Sequence, residues 1–149
     1  MREVTPSVAY EELGHLLGSI CRLHHTRADQ SMERIGLFRG QAILLMILSR
    51  HDGITHSEIA EKLRISPAAA TKVIKRMESA GYLQRQADPA DRRVSRIYLQ
   101  ERGRGLIAEI ESAFGKLDRA MFEGVPEREL VRFRELLTQM AGNLQRFQP

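Results

Sequence analysis

The chain has 149 residues and a net charge of +4, and 42% of its residues are hydrophobic, 28% charged and 5% aromatic. This composition excludes a disordered chain, and the length fits one domain over residues 1–149. The longest apolar run, residues 42–48, is far shorter than the roughly 20 residues of a membrane-spanning helix, and no signal pattern opens the chain. We therefore expect a cytoplasmic protein with no membrane partner.

Two helices open the predicted fold. The first, over residues 7–35 and ended by Gly36, is indicated by side chains that recur at helical spacing: Leu13, Leu16, Leu17, Ile20 and His24. An Ile- and Leu-rich segment predicts the second helix over residues 39–50.

Two start signals predict a pair of shorter helices. Thr55 and Glu58 have the spacing of a capping box, in which each side chain satisfies a free amide at the start of a helix. Ser66 followed by Pro67 predicts the next start, because proline suits the first helical position. This second helix is expected to run to about Ala80, where Gly81 ends it.

After Gly81 the spacing of the apolar residues changes from that of a helix to that of a strand. This pattern predicts two strands, over residues 82–85 and 94–99. The stretch 88–92 between them contains Asp and Pro and is predicted to form a turn. We therefore expect a hairpin with a charged tip.

The last third returns to helical spacing. Apolar residues recur in steps of three and four in two series: Ile107, Ile110, Phe114, Leu117 and Met121, then Leu130, Phe133, Leu137, Met140, Leu144 and Phe147. Narrow stripes of this kind pack against a partner helix, and a second copy of this chain is the expected partner. The predicted dimer interface consists of Leu130, Phe133, Leu137, Met140 and Leu144.

Helix, turn, helix and hairpin in this order predict a winged helix-turn-helix. The fold class is mainly α with a small β wing, in which the winged unit spans about residues 37–100. Helices over 7–35 and 101–147 flank it. The second helix of such a unit lies in the DNA major groove.

Positive charge is concentrated in this unit. Residues 62–104 contain eleven basic and four acidic residues, so this segment carries +7 and the rest of the chain −3. A basic segment confined in this way is the electrostatic footprint of a nucleic-acid partner, here double-stranded DNA.

Helical spacing divides the candidate recognition helix into two faces. Ala70, Val73, Ile74 and Met77 are predicted to point inward. The candidate DNA-contacting residues in and before this helix are Ser66, Ala68, Ala69, Thr71, Lys72, Lys75 and Arg76. Thr71 could hydrogen-bond a base or touch a thymine methyl, and Lys72 could reach guanine. Lys75 and Arg76 are expected on phosphates.

The hairpin tip supplies the remaining candidates: Asp91, Arg92, Arg93 and Arg96. A narrow minor groove attracts inserted arginine, so these cations are expected beside it. Asp91 is expected to hold the Arg93 guanidinium in a bidentate pair.

Other chemistries have little support in the sequence. A single cysteine, Cys21, excludes an internal disulfide; near an apolar stripe it is expected to be buried and inert, with redox sensing as the alternative. The histidines lack metal-ligand spacing, so no metal or other cofactor is expected. Ile20, His24 and Met46 are candidates to line a pocket for a small aromatic or lipophilic effector.

Three other functional classes have less support in the sequence than DNA binding. An enzyme lacks support because no phosphate-binding or nucleophile motif occurs. A protein-interaction module would display an acidic or apolar recognition face, whereas this one is basic. An RNA binder would display stacking aromatics there.

The stretch from Thr55 to Gly103 resembles the MarR family of multiple antibiotic resistance regulators. The matching residues are 56–63, 66–71, 77–83 and 88–93, followed by Leu99 and Gly103, and residues 91–93 match the family's Asp-x-Arg wing signature. The resemblance implies a homodimer on a pseudopalindromic operator, released by a ligand or by cysteine oxidation. Because a protein bound at a promoter would block polymerase, we expect a repressor. The resemblance also implies that Arg93 enters the minor groove. Gln100 departs from the family's usual capping Ser or Thr.

Overall fold

The computed structural model describes residues 9–148, so residues 7 and 8 of the predicted first helix lie outside it. The helices are α1 (Tyr10–Glu33), α2 (Arg39–Arg50), α3 (His56–Leu63), α4 (Pro67–Ser79), α5 (Glu101–Arg104), α6 (Ile107–Met121) and α7 (Glu127–Arg146). The strands are β1 (Ile54–Thr55), β2 (Leu83–Ala87) and β3 (Ser95–Leu99). The predicted class, mainly α with a small β wing, is confirmed.

The chain forms two compact units, one ending at Leu117 and the other beginning at Asp118. The prediction of a single domain with flanking helices stays a prediction. No helix within residues 9–148 is both long and apolar enough to cross a membrane.

Glycines end two helices as the sequence predicts. Gly36 has φ 78°, and the amide of Leu37 donates to the Met32 carbonyl at 3.0 Å. Gly81 has φ 75°, and the amide of Tyr82 donates to the Met77 carbonyl at 3.0 Å. This backbone conformation costs glycine little, because it has no Cβ.

Side-chain caps start α3 and α4. The Thr55 hydroxyl accepts from the Glu58 amide at 3.3 Å, and the Glu58 carboxylate accepts from the Thr55 amide at 2.7 Å. The Ser66 hydroxyl accepts from the Ala69 amide at 3.1 Å, and Pro67 occupies the first turn. Both predicted starts are confirmed, and together they fix the short turn between the helices.

The sheet is antiparallel with strand order β1-β3-β2. The predicted hairpin is formed by β2 and β3, with Leu83 opposite Leu99 and Ala87 opposite Ser95. The sequence did not predict β1, in which Ile54 pairs with Ile97. A strand of two residues is too short to show an alternation of apolar and polar side chains in the sequence. It forms only because β3 is available to pair with it.

One apolar core holds the first unit together. Its largest fully buried side chains come from the end of α1, from α2 to α4, from the sheet and from α6: Met32, Leu44, Leu45, Leu48, Ile59, Ile74, Met77, Leu83, Ile97 and Ile110. In the second unit α7 has no buried residue, and Phe122 meets Phe133 edge to face at 6.2 Å between ring centroids.

Gly103 in α5 is a sensitive packing position. A Cβ there would collide with the Tyr82 carbonyl oxygen and lie 2.7 Å from Leu99 Cδ1. We expect Gly103→Ala to lower the free energy of unfolding by about 1–3 kcal/mol, because the clash outweighs the better helix propensity of alanine. Urea unfolding measures the change.

Gly105→Ala is the matched control, because its Cβ would meet nothing closer than 3.6 Å. It should leave the stability unchanged or slightly raised. Equal stabilities of the two variants would show that α5 does not pack as described.

Candidate nucleic-acid interface

Helix α4 has a buried face and an exposed face. Ala70, Ile74 and Met77 are fully buried and Val73 is partly buried, which confirms the predicted inward set. The exposed residues of α4 include Ala68, Thr71, Lys72, Lys75 and Arg76. Ala69 was expected outward but is half-buried, because a turn of about 100° per residue places it at the border of the buried arc.

The start of α4 is bonded to the start of α3. The Thr71 hydroxyl lies 2.9 Å from the carbonyl oxygen of Pro67, and 2.8 Å from Nε2 of His56. His56 was not among the predicted site residues, because its closeness to Thr71 depends on how the two helices pack.

Further along α4, Arg76 lies over an aromatic ring. Its guanidinium carbon is 5.5 Å from the ring centroid of Phe38, which is 63% exposed at the start of α2. A cation over an aromatic face is attracted by the ring quadrupole. Phe38 therefore holds Arg76 on the outer side of α4, a role that its position in the sequence does not indicate.

Arg96 was predicted at the hairpin tip, and this position is wrong. Arg96 lies within β3, opposite Gln86 on β2 and Thr55 on β1. Its Nη1 donates to the Gly53 carbonyl at 2.8 Å, and its Nε forms an ion pair with Asp88. The guanidinium thus ties the hairpin to the segment before β1 and is already occupied by protein groups.

The tip itself is ordered by two aspartates. Asp88 Oδ1 accepts from the amides of Ala90 at 2.7 Å and Asp91 at 3.3 Å. The Ala90 amide and, second, the Arg96 side chain hold the pKa of Asp88 below its ordinary value. Asp91 Oδ1 accepts from the amide of Arg93 at 3.0 Å.

The expected pairing of Asp91 with the Arg93 guanidinium is therefore corrected. No ion pair joins these two side chains within residues 9–148, because the carboxylate of Asp91 caps the backbone of the turn. Arg92 and Arg93 are both exposed at the tip.

Internal contacts use several of the eleven cations of this segment. Arg85 pairs with Glu78 at 3.1 Å, and Arg104 pairs with Asp52 at 2.8 Å. Arg102 donates to the Ala80 carbonyl at 2.8 Å and lies over the Tyr82 ring. Of these eleven, the exposed cations with neither an ion pair nor a hydrogen bond to the described chain are Lys62, Arg64, Lys72, Lys75, Arg76, Arg92 and Arg93. Lys62 and Arg64 were not among the predicted site residues.

The candidate effector residues differ in their surroundings. Ile20 is 46% exposed, His24 is half-buried, and Met46 packs against the core. A groove of about 490 Å³ lies instead between the end of α1 and α6, lined among others by Arg27, Arg34 and Lys116. None of the three predicted residues lines it, so their role stays a prediction.

Cys21 is exposed, and the expectation that it is buried is wrong. The apolar side chains of α1 up to Leu23 largely face solvent in the single chain, with Leu16 53% and Leu23 58% exposed. Within residues 9–148, no group of three or more His, Cys, Asp or Glu side chains could hold a metal ion.

Two capped helices joined by a short turn, followed by an antiparallel hairpin, define a winged helix-turn-helix of the DNA-binding class. Residues 37–95 match the model of the MarR family. Residues 37–95 therefore form a MarR-family domain with the DNA-binding helix-turn-helix fold found in transcriptional regulators.

Known relatives and solved structures are similar to this protein over most of the chain. An uncharacterised HTH-type transcriptional regulator of Bacillus subtilis, YdgJ, is 28% identical over 73% of this chain and 66% of its own length, just under two thirds. The structure of a MarR transcriptional regulator from Methanosarcina mazei is 26% identical, with a TM-score of 0.77 over 89% of this chain and 96% of its own.

A third similar protein is Bordetella bronchiseptica BpsR, whose structure is described for the regulation of its DNA binding by 6-hydroxynicotinic acid. It is 26% identical, with a TM-score of 0.77 over 92% of this chain and 98% of its own.

The Asp88 carboxylate should stabilise the wing in a pH-dependent way. Because its pKa is lowered in the folded chain, its contribution is present above the unfolded pKa and is lost as the pH falls through the folded value. We expect Asp88→Asn to lower Tm at pH 7, and we expect this deficit to shrink as the pH falls below about 4. Thermal melts from pH 2 to 7 measure it.

Glu123→Gln is the control, because Glu123 is exposed and has no ion pair among the described residues. A deficit for Asp88→Asn that stays constant across this pH range would contradict the assigned role of the carboxylate.

Proposed function

We propose that this chain is a transcriptional repressor that binds a pseudopalindromic double-stranded DNA operator as a homodimer. The observation that carries the proposal is the outer face of α4, where small residues at the start are followed by exposed cations that have no ion pair. Small residues allow a helix to approach the floor of the major groove closely, and the cations can meet phosphates at its edge.

The proposed contacts divide by chemistry. The start of α4 lies in the major groove, where Thr71 and Lys72 contact bases. The other residues of this part of the interface are Ser66, Ala68 and Ala69. Lys75 and Arg76 hold phosphates, as side chains that position a protein without reading sequence do.

At the wing, Arg93 enters the minor groove with Arg92 beside it, while Asp91 shapes the turn that presents them. Arg96 is removed from the direct contacts, because its guanidinium is bonded to Asp88 and Gly53. Its proposed role is to hold the wing in place.

The proposal of a homodimer rests on apolar side chains that the single chain leaves in solvent. On α7, Phe133 is 38%, Leu137 39%, Met140 38% and Leu144 74% exposed, and Leu130 is half-buried. Helix α1 exposes Leu13, Leu16, Ile20 and Leu23. Burial of such surface is favourable by about 25 cal/mol per Å². A dimer would place two α4 helices on half-sites about 10–10.5 bp apart.

Repression follows if the operator overlaps a promoter, because the bound dimer then blocks polymerase. The similar protein BpsR, whose DNA binding responds to 6-hydroxynicotinic acid, supports a small aromatic effector for this chain as well. An effector that changes the spacing of the two α4 helices would be coupled to DNA binding by about 1–3 kcal/mol.

Selection of bound duplexes from a random pool tests the function. We expect enrichment of a two-fold-symmetric site of roughly 16–20 bp, bound at least ~10³ times more tightly than bulk DNA. If no site is enriched and binding is only weak and steeply salt-dependent, sequence-specific regulation is the wrong function for this chain.

Arg93→Ala then tests the wing on the selected site. We expect weaker binding and a slope of log K against log salt that is smaller by about one unit, because one fewer cation displaces counterions from DNA. Titrations at several salt concentrations measure both. Arg128→Ala, an exposed cation on α7, is the control and should keep the wild-type slope. A wild-type slope for Arg93→Ala would remove Arg93 from the interface.

Leu137→Lys tests the homodimer. A lysine at the centre of the apolar stripe of α7 would place a charge in the interface, so we expect monomers in sedimentation velocity and loss of tight operator binding. Gln139→Lys adds the same charge about 200° further around α7 and should remain dimeric. If Leu137→Lys is also dimeric at the same concentration, α7 does not form the interface.

A further inference from the structure

The hydroxyl of Thr71 has two partners inside the protein. Its Oγ1 lies 2.9 Å from the carbonyl oxygen of Pro67, one turn earlier on α4. It also lies 2.8 Å from Nε2 of His56, the first residue of α3. Thr71 is exposed and His56 is half-buried, and both lie near the start of α4.

A hydroxyl has one proton, and this proton decides the direction of both bonds. A carbonyl oxygen can only accept, so the 2.9 Å contact with Pro67 requires the proton of Thr71. The 2.8 Å contact must then be donated by His56, with the proton on Nε2. The opposite arrangement would leave two bare oxygen atoms facing each other at 2.9 Å, which is unfavourable.

The donor capacity of Thr71 is thus used within the protein. Guanine O6 and N7, adenine N7 and thymine O4 are all acceptors in the major groove, and Thr71 has no proton left for any of them. The γ-methyl group of this exposed residue takes no part in these hydrogen bonds. In the major groove, the group that a small apolar side chain can recognise is the 5-methyl group of thymine.

We propose that Thr71 reads DNA through its methyl group and selects thymine, and that His56 is the positioning residue that holds the Thr71 hydroxyl away from the bases. The proposal rests on the proposed binding of α4 in the major groove, and it names the base that this position recognises. It also gives a histidine of α3 a part in specificity without contact to the base that is read.

Replacing single thymines by deoxyuridine tests the proposal, because uracil lacks only the 5-methyl group and keeps every hydrogen-bonding atom. In the selected operator, we expect one thymine in each half-site at which this replacement weakens binding roughly fourfold, the effect of losing one buried methyl contact. If no thymine of the selected operator responds, the methyl reading is wrong.

Two variants of Thr71 separate its methyl from its hydroxyl. Thr71→Val has a methyl group at both γ positions, so one can face the base without the bond to His56, and this variant should retain the roughly fourfold loss on deoxyuridine. Thr71→Ser keeps the hydroxyl and should bind both duplexes within about twofold of each other. The reverse pattern, with Ser retaining the discrimination and Val losing it, overturns the proposal.

His56→Ala tests the positioning role. We expect the discrimination between thymine and uracil to fall below about twofold while affinity for bulk DNA stays unchanged, because the methyl is no longer held toward the base. His51→Ala, an exposed histidine at the end of α2, is the control and should behave as wild type. Fourfold discrimination in His56→Ala would exclude His56 from specificity.

The hydrogen-bond direction can be measured without DNA. We expect two-dimensional ¹⁵N NMR of the full chain to show a proton on Nε2 of His56. A bare Nε2, with the proton on Nδ1 only, would make Thr71 the donor to His56 and would overturn the inference. If the random-pool selection enriches no site while the Nε2 tautomer is found, the proposed function fails and the arrangement of these two side chains stands.

Discussion

The geometry of the wing depends on the guanidinium group of Arg96. A two-stranded hairpin is marginal in water by itself, and β2 and β3 are each only five residues long. Arg96 bonds to Asp88 at the end of β2 and to the Gly53 carbonyl just before β1. The hairpin is thereby joined to the segment that leads into α3, so the wing and the helix pair form one connected structure.

A second ionic connection joins the segment before β1 to the end of β3 and to α5. Asp52 accepts from the amide of Leu99 and pairs with Arg104 of α5, both at 2.8 Å. Together with Arg85 and Arg102, these contacts mean that much of the positive charge in residues 62–104 serves the fold. The charge that is available to a polyanion is smaller than the sequence count and lies on exposed parts of α3, α4 and the tip.

The sequence predicted those features that local signals control. Thr55 with Glu58, Ser66 with Pro67, and the two terminal glycines each act over a few residues, so their helix boundaries could be placed closely. The buried arc of α4 followed from helical spacing alone. The family resemblance, made on residues 55–103, agrees with the match over residues 37–95.

Features that depend on distant contacts could not be predicted in this way. Strand β1 needs β3, the position of Arg96 needs Gly53 and Asp88, and the bond between His56 and Thr71 needs the packing of α3 on α4. Cys21 was placed wrongly for a related reason: a stripe of apolar residues does not say whether its own chain or another molecule covers it.

The division of α4 into two faces has a consequence for how such proteins diverge. Ala70, Ile74 and Met77 are completely buried, whereas Thr71, Lys72 and Lys75 are exposed and support no core. Exposed substitutions usually change stability by less than about 0.5 kcal/mol. Mutations on the outer face can therefore accumulate in a duplicated gene without loss of the folded protein, and a copy can acquire a new operator in single steps.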